Sequence, residues 1–297
     1  MPGQFYTPKD FRGDRPNYHG RRRNIQTALA LAGATCATWQ DTDSCPVYCF
    51  AFGYPGTGKS MFPKVLAWEL NKSEREPSES GQPWFLEIMN CLHMALLPGP
   101  DLRQEVAETE VHLWTKQCYP MILVIDEIDA VSRRPGVRAA PESELSMTYW
   151  TMDTLKRLRE ESRRCLVIAL TNYPELCDAN IKTEIGTHIY FGAPEFEIIE
   201  GIIRDHGIQN ASLVAKQYWK LCAEQGRVAL ERPLVVALSL YEHLRVGPGT
   251  LADQLFILAL PPTRAEFDLY ERENRARIDA AVSLQKLLGA DDALASS

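Results

Sequence analysis

The sequence predicts an α/β fold, a parallel sheet sandwiched by helices and followed by a small all-helical lid. Two observations carry this. Apolar runs at Pro46–Phe52, Trp84–Met89, Met121–Ile125 and Cys165–Leu170 show little of the alternation of a half-exposed strand and suit central strands covered on both faces. Segments of helical period separate them, and after a last short strand at His188–Phe191, closed by Gly192-Ala193-Pro194, the pattern from Glu195 onward is helical.

The first run leads into Gly53-Tyr54-Pro55-Gly56-Thr57-Gly58-Lys59-Ser60: a glycine, four free positions, then Gly-Lys-Ser. Glycines allow a tight turn in which consecutive backbone N–H groups point inward at phosphate oxygens, and the following helix presents its positive end. Lys59 would reach the β- and γ-phosphates of ATP, and the Ser60 hydroxyl is placed to ligate Mg²⁺. Met61–Leu70 supplies the helix, with Phe62, Val65, Leu66 and Leu70 on one side. Pro63 falls in its first turns, where a missing N–H is tolerated near the start but kinks the helix further in.

A second signature ends the run Met121-Ile122-Leu123-Val124-Ile125 with Asp126-Glu127. In an open α/β sheet ligands sit at the carboxyl ends of the strands, so these acids emerge where the phosphates would lie. Asp126 is positioned for Mg²⁺ and Glu127 for polarising an attacking water. The run at Cys165 ends in Thr171-Asn172, and two readings of Asn172 stay open. Its amide can hold the attacking water in line with the γ-phosphate, or it can simply start the turn that Pro174 favours.

Composition bounds the function classes. With 32 Lys plus Arg against 39 Asp plus Glu, the net charge of −7 offers no general attraction to nucleic acid or to an acidic membrane. Eight cysteines stand singly, without C-x-x-C spacings, so reduced and mostly buried thiols are expected, in an intracellular compartment, cytoplasmic or nuclear, where ATP is abundant. No apolar run approaches the length of a membrane-spanning helix. Arg21-Arg22-Arg23 before the small, apolar stretch Ile25–Ala37 superficially resembles a signal sequence, but Gln26, Thr27 and Thr35 dilute it, and a short helix packed before the first strand is the expectation. The arginines themselves read as a solvated helix start, with an import signal or a phosphate-contacting patch as alternatives.

In chain order, 1–45 is expected to be an irregular arm and a short helix, and 46–194 the nucleotide-binding α/β domain. Within it 71–83 and 133–144 read as loops, and 101–117 and 145–162 as amphipathic helices. The lid is expected over 195–260, with helices around Ile198–Ile203, Ser212–Cys222 and Leu234–Leu244. A final helical stretch over Thr263–Leu288 and a mobile tail, Gly289–Ser297, complete a C-terminal segment, 261–297.

From the strand before Gly53 to about Leu244 the chain resembles the AAA+ ATPase superfamily. Residues 53–60 match the form Gly-x-Pro-Gly-Thr-Gly-Lys-Ser/Thr, Met121 to Asp129 look like its Walker B strand, and Asn172 falls at its sensor 1 position. The resemblance implies ATP and Mg²⁺ as cofactors, ATP hydrolysis, and assembly into a homo-oligomeric ring, such as a hexamer, that remodels a protein partner. A weaker likeness to the Pch2/TRIP13 branch lies in residues 178–185 and in Gly226-Arg227-Val228-Ala229-Leu230-Glu231-Arg232-Pro233, which would make Arg227 a γ-phosphate contact; an ordinary surface arginine is the alternative. Two departures stand out. Glu184 occupies the place of the arginine finger, for which Lys182, Arg157, Arg163 or Arg164 could substitute, and Met94 to Gly99 lacks the aromatic pore-loop residue of polypeptide-threading members. The arm is also shorter than the recognition domain of Pch2-like proteins, so a HORMA-type partner is an extension of the reading and not its core. An ATP-gated scaffold that hydrolyses poorly, favoured by Glu184, and a DNA-associated ATPase, kept open by Arg21–Arg23, are the competing functions.

Overall fold

Gly3–Tyr6 (β1), Val47–Gly53 (β2), Phe85–Asn90 (β3), Met121–Asp126 (β4), Cys165–Thr171 (β5) and Thr187–Phe191 (β6) form a six-stranded sheet in the order β1-β3-β4-β5-β2-β6. This computed structural model describes residues 3–11, 16, 18–19, 21–37, 47–72, 83–91, 120–130, 151–153, 155–156, 160, 165–243 and 249–288. The helix expected over 101–117, the loop over 133–144, most of the helix over 145–162, the pore-loop stretch 94–99, Arg157, Arg163, Arg164 and the tail lie outside the described residues. Every pairing is parallel except that of β1 with β3. In β5 every residue is buried, and in β4 every residue but Asp126, as unalternating apolar strands require.

One face of the sheet is covered by Arg22–Ala37 (α1) and Phe62–Lys72 (α2), whose Ala28, Leu31, Val65 and Leu66 pack against Ile122, Leu166 and Leu170. A 3₁₀ turn at Lys59–Met61 precedes α2, so Pro63 lies in the first helical turn, where its missing N–H has no intrahelical acceptor to lose and no kink need follow. The other face packs Leu123, Ile125, Val167 and Ala169 against Leu155, Cys177 and Ile181, the last on the short helix Ala179–Glu184 (α3).

Residues 1–20 are not wholly irregular. Gly3–Tyr6 is an edge strand whose Phe5 ring stacks on Phe85 at 5.7 Å. Four residues are too few to display a period, and β3, not the local sequence, supplies the hydrogen-bonding partner that makes them a strand.

The lid consists of Phe196–Asp205 (α4), Ala211–Glu224 (α5), Glu231–His243 (α6) and Leu251–Ala259 (α7), packed around Tyr218, Leu234, Leu238 and Leu255. Thr250 and Asp253 close a reciprocal capping box at the start of α7. The C-terminal helical stretch divides within its very charged middle into two helices, Arg264–Glu273 (α8) and Arg275–Leu287 (α9). Buried Asn274 separates them: its side-chain amide donates to the Tyr270 carbonyl at 3.1 Å and its Oδ1 accepts from Arg277 at 2.9 Å, local bonds that compete with helix continuation. These helices leave the lid and return to the sheet. α9 packs against β6, where Ile278 joins the core on that face of the sheet, and Gln285 donates to Asn24 of α1 at 2.9 Å. Ile278→Ala should therefore cost about 2 kcal/mol or more of the α/β domain's stability in chemical denaturation. An unchanged midpoint would show that α9 is not part of that core.

Candidate active site

Parallel pairing brings the carboxyl ends of β2, β4 and β5 to one edge, where a cleft of about 500 Å³ opens between sheet and lid. The phosphate loop and Lys59, Ser60 and Met61 form its floor, and Asp126, Glu127, Thr171 and Asn172 line it from the neighbouring strands. Tyr18, His19 and, from α4, Ile198 and Ile202 make an apolar flank, while Glu231, Arg232 and Val235 of α6 reach in from the lid.

Two glycines in the loop are required by close approach. A Cβ at Gly53 would stand 2.3 Å from the Phe191 carbonyl oxygen on β6, and one at Gly58, which has φ 77°, would stand 1.8 Å from Glu231 Oε2. Lys59 is 6% exposed, and its ammonium donates to the carbonyls of Gly53 at 2.8 Å and Tyr54 at 3.0 Å. Burial pulls its pKa down to about 7, against the opposing pull of Asp126. Behind the loop the Tyr54 ring lies 5.4 Å from Phe267 and 5.6 Å from Tyr270, so α8 braces it from the rear.

Asp126 is pushed up to about 6, first by burial and then by Glu127, while the Glu127 backbone N–H, donating to its Oδ1 at 3.0 Å, pulls the other way. Glu127 has φ 56°, a left-handed conformation that costs a non-glycine residue about 1 kcal/mol or more and persists where surrounding structure over-determines it. Its Oε2 is buried and has no hydrogen-bond partner among the described residues. At the end of β5 it is Thr171, not Asn172, that makes the turn: its hydroxyl accepts from the Tyr173 N–H at 2.9 Å and donates to Asp129. Asn172 is thereby left to line the cleft.

Of the residues expected at the site, Pro55, Gly56, Gly58, Lys59, Ser60, Asp126, Glu127 and Asn172 thus meet at the cleft, whereas Gly53, Tyr54 and Thr57 do not line it. Arg227 does not: its guanidinium donates to the Pro261 carbonyl, its backbone bridges Thr263, and it is not among the residues lining the cleft. The arginine that α6 presents there is Arg232, whose backbone N–H also donates to the Gly56 carbonyl at 3.0 Å. Nor is the arginine run a uniformly solvated helix start. Arg22 and Arg23 are exposed, but the Arg21 side chain is only 8% exposed and is bonded to Glu231, Thr57 and Gly192. Lys182 donates to the Glu175 carbonyl at 3.2 Å, and Glu184 ends α3 half-buried. Sequence reading assigned no role to His19, paired with Asp205 at 2.6 Å, or to Glu231 and Arg232 within the stretch 226–233, and left Arg21 undistinguished in its run, because their places at the site depend on contacts between segments far apart in the chain. The Arg21 run was the one visible signal.

The residues present fit a nucleotide triphosphate with Mg²⁺. The loop provides the cradle a Cβ would fill and a buried cation, Ser60 and Asp126 supply oxygen donors suited to a hard cation that keeps several waters, and the orphaned Glu127 Oε2 faces an acceptor role still unfilled. The described cysteines, 49, 91, 165, 177 and 222, are buried and in no disulfide, and no helix among the described residues is long and apolar enough to cross a membrane.

The family model described as "ATPase family associated with various cellular activities (AAA)" matches residues 49–193. Among curated proteins, the cell division cycle protein 48 homolog of Archaeoglobus fulgidus is 28% identical over 52% of this chain and 19% of its own length. Mouse vacuolar protein sorting-associated protein 4B is 27% identical over 57% of this chain and 35% of its own. The chain therefore spans well under half the length of these relatives. Among solved structures, a chain of the E. coli MS115-1 HORMA:CdnC:Trip13 complex superposes with a TM-score of 0.63 at 10% identity, covering 88% of this chain and 95% of that one. The FIGL-1 AAA domain in complex with ADP gives a TM-score of 0.60 at 16% identity, with 88% and 89% covered, a likeness of fold. The match spans the strands that carry the phosphate loop and the paired acids, so that residues 49–193 resemble the AAA family of ATPases in sequence and the chain resembles its solved members in fold.

Proposed function

We propose that the chain binds ATP with Mg²⁺ and hydrolyses it to remodel a protein partner, acting as a homo-oligomeric ring. The observation that carries the reading is the convergence of Lys59, Ser60, Asp126, Glu127 and Asn172 on one cleft. Lys59 would exchange its loop carbonyls for phosphate oxygens, stronger acceptors for a buried ammonium. A magnesium ion held by the Ser60 hydroxyl and Asp126 would supply neutralisation of phosphate charge. Glu127 Oε2 would take the proton of an attacking water, and the Asn172 amide would fix that water's direction. Protein is the preferred partner class because the net charge of −7 gives nucleic acid no general footing. The HORMA:CdnC:Trip13 assembly suggests one partner class to try, on likeness of fold alone.

A second reading, a scaffold gated by ATP that turns it over slowly, is favoured by Glu184. An anion at a subunit boundary cannot stabilise the charge spreading over a transferred phosphoryl group, and Lys182 is already bonded to a carbonyl of its own chain.

Lys59→Ala should raise the Kd for ATP roughly tenfold to a hundredfold, the equivalent of one or more charge-assisted bonds. Glu127→Gln should bind ATP as the parent does and lose about 10²-fold or more in turnover. If both variants hydrolyse ATP like the parent, the site is wrongly assigned. Glu184→Arg discriminates the readings, since a correctly placed trans arginine contributes up to about 10³-fold. A raised rate at unchanged native mass supports an anion facing the neighbour's phosphate. A lowered rate with a smaller native mass marks Glu184 as an assembly contact, and no change in either makes it a surface acid.

A further inference from the structure

The Arg21–Glu231 ion pair has no part in the chemistry just described, yet it lies directly on the phosphate loop. Arg21 Nε and Nη2 donate to Glu231 Oε1 at 3.1 and 2.8 Å, and Nη2 also donates to the Thr57 carbonyl at 3.3 Å and the Gly192 carbonyl at 2.8 Å. The guanidinium lies 5.7 Å from the centroid of the Phe191 ring. Side-chain exposures of 8% and 10% make this a buried pair. Arg21 holds φ 54°, so the backbone accepts an unfavourable conformation to aim it. One guanidinium thereby joins the segment before α1, the loop, the end of β6 and the lid.

Stability is a poor reason for such a pair, because taking two charges out of water costs about what their attraction returns. Its position suggests another. The Glu231 carboxylate has one oxygen against Gly58 and lines the cleft in which the polyanionic phosphates would sit. Lys59 and His19 are the other charged or titratable groups acting on it, and burial pushes its pKa up while Arg21 holds it down. An acid at that place repels phosphate unless its charge is cancelled.

We propose that Arg21 and Glu231 are a positioning pair that sets nucleotide affinity: Glu231 fastens the lid helix α6 to the phosphate loop, and Arg21 cancels the negative charge this places beside the phosphates. The proposal rests on the nucleotide-binding reading above. A structural bridge and a charge-compensating one differ in sign. If the pair only holds the fold together, removing either partner weakens nucleotide binding. If Arg21 compensates Glu231, removing the acid tightens binding and removing the arginine weakens it.

The test is titration of a fluorescent ADP analogue into the parent chain, Glu231→Gln, Arg21→Gln, Arg21→Lys and the Arg21→Gln/Glu231→Gln double variant, with thermal melting of each. Glu231→Gln should lower Kd about tenfold and Arg21→Gln should raise it about tenfold, as expected for one unit charge a few ångströms from the phosphates at intermediate dielectric. The double variant should return to within about threefold of the parent, the sum of two opposite single effects that both act through charge beside the phosphates. Arg21→Lys keeps the charge without the fork and should bind nearly like the parent, which keeps the test alive if Arg21→Gln fails to fold. Weakened binding in both single variants, or lower melting temperatures with unchanged Kd, would reduce the pair to a structural bridge. A parent that binds no nucleotide would overturn the functional reading itself, whereas a parent that binds through Lys59 and is indifferent to Glu231 overturns only this inference.

Discussion

The site depends on parallel strand pairing. Because β2, β4 and β5 run in the same direction and are buried on both faces, polar groups can emerge only at their ends, and their carboxyl ends share one edge. Phe52 pairs with Thr171 and Ile125 with Ala169, which brings Gly53, Asp126 and Asn172 to the same end of three neighbouring strands although scores of residues separate them in the chain. β6 adds a limit of its own: Gly53 pairs with Phe191, whose carbonyl leaves no room for a side chain at the loop's first residue.

A cleft walled in this way is a low-dielectric place to keep charge. Burial pulls Lys59 and Asp126 toward their neutral forms from opposite sides, and each is partly held ionised by the other. An anion against Lys59 or a cation against Asp126 would restore the charged form of its neighbour. Glu127, beside them, combines a buried carboxylate oxygen that has no hydrogen-bond partner among the described residues with a left-handed backbone.

The loop is also held from behind. Tyr54 lies between Phe267 and Tyr270 on α8, the Tyr190 hydroxyl of β6 donates to Glu271 at 2.8 Å, and α9 carries Ile278 into the sheet core and Gln285 to Asn24. The lid is therefore attached to the α/β domain at both of its ends. On one side α6 touches Gly56 and Gly58, on the other α8 touches Tyr54, so a shift of the lid is felt at both faces of the phosphate loop.

The sequence by itself determined the parallel core and the position of the chemistry. Unalternating apolar strands, the spacing Gly-x-x-x-x-Gly-Lys-Ser and an acid pair at a strand end are local patterns, and each reports its own structure without help from distant residues. The tertiary structure decided what depends on contact between distant segments. Gly3–Tyr6 became a strand because Phe85–Asn90 offered it an edge, and Thr171 made the turn that leaves Asn172 to the cleft. Arg227 was drawn to the Pro261 carbonyl while Arg232, five residues on, came to face the site. Arg21, indistinguishable in the sequence from its two exposed neighbours, was buried against an acid 210 residues away. A run of like charges carries no information about which member will find a partner; that depends on which backbone direction points into the fold.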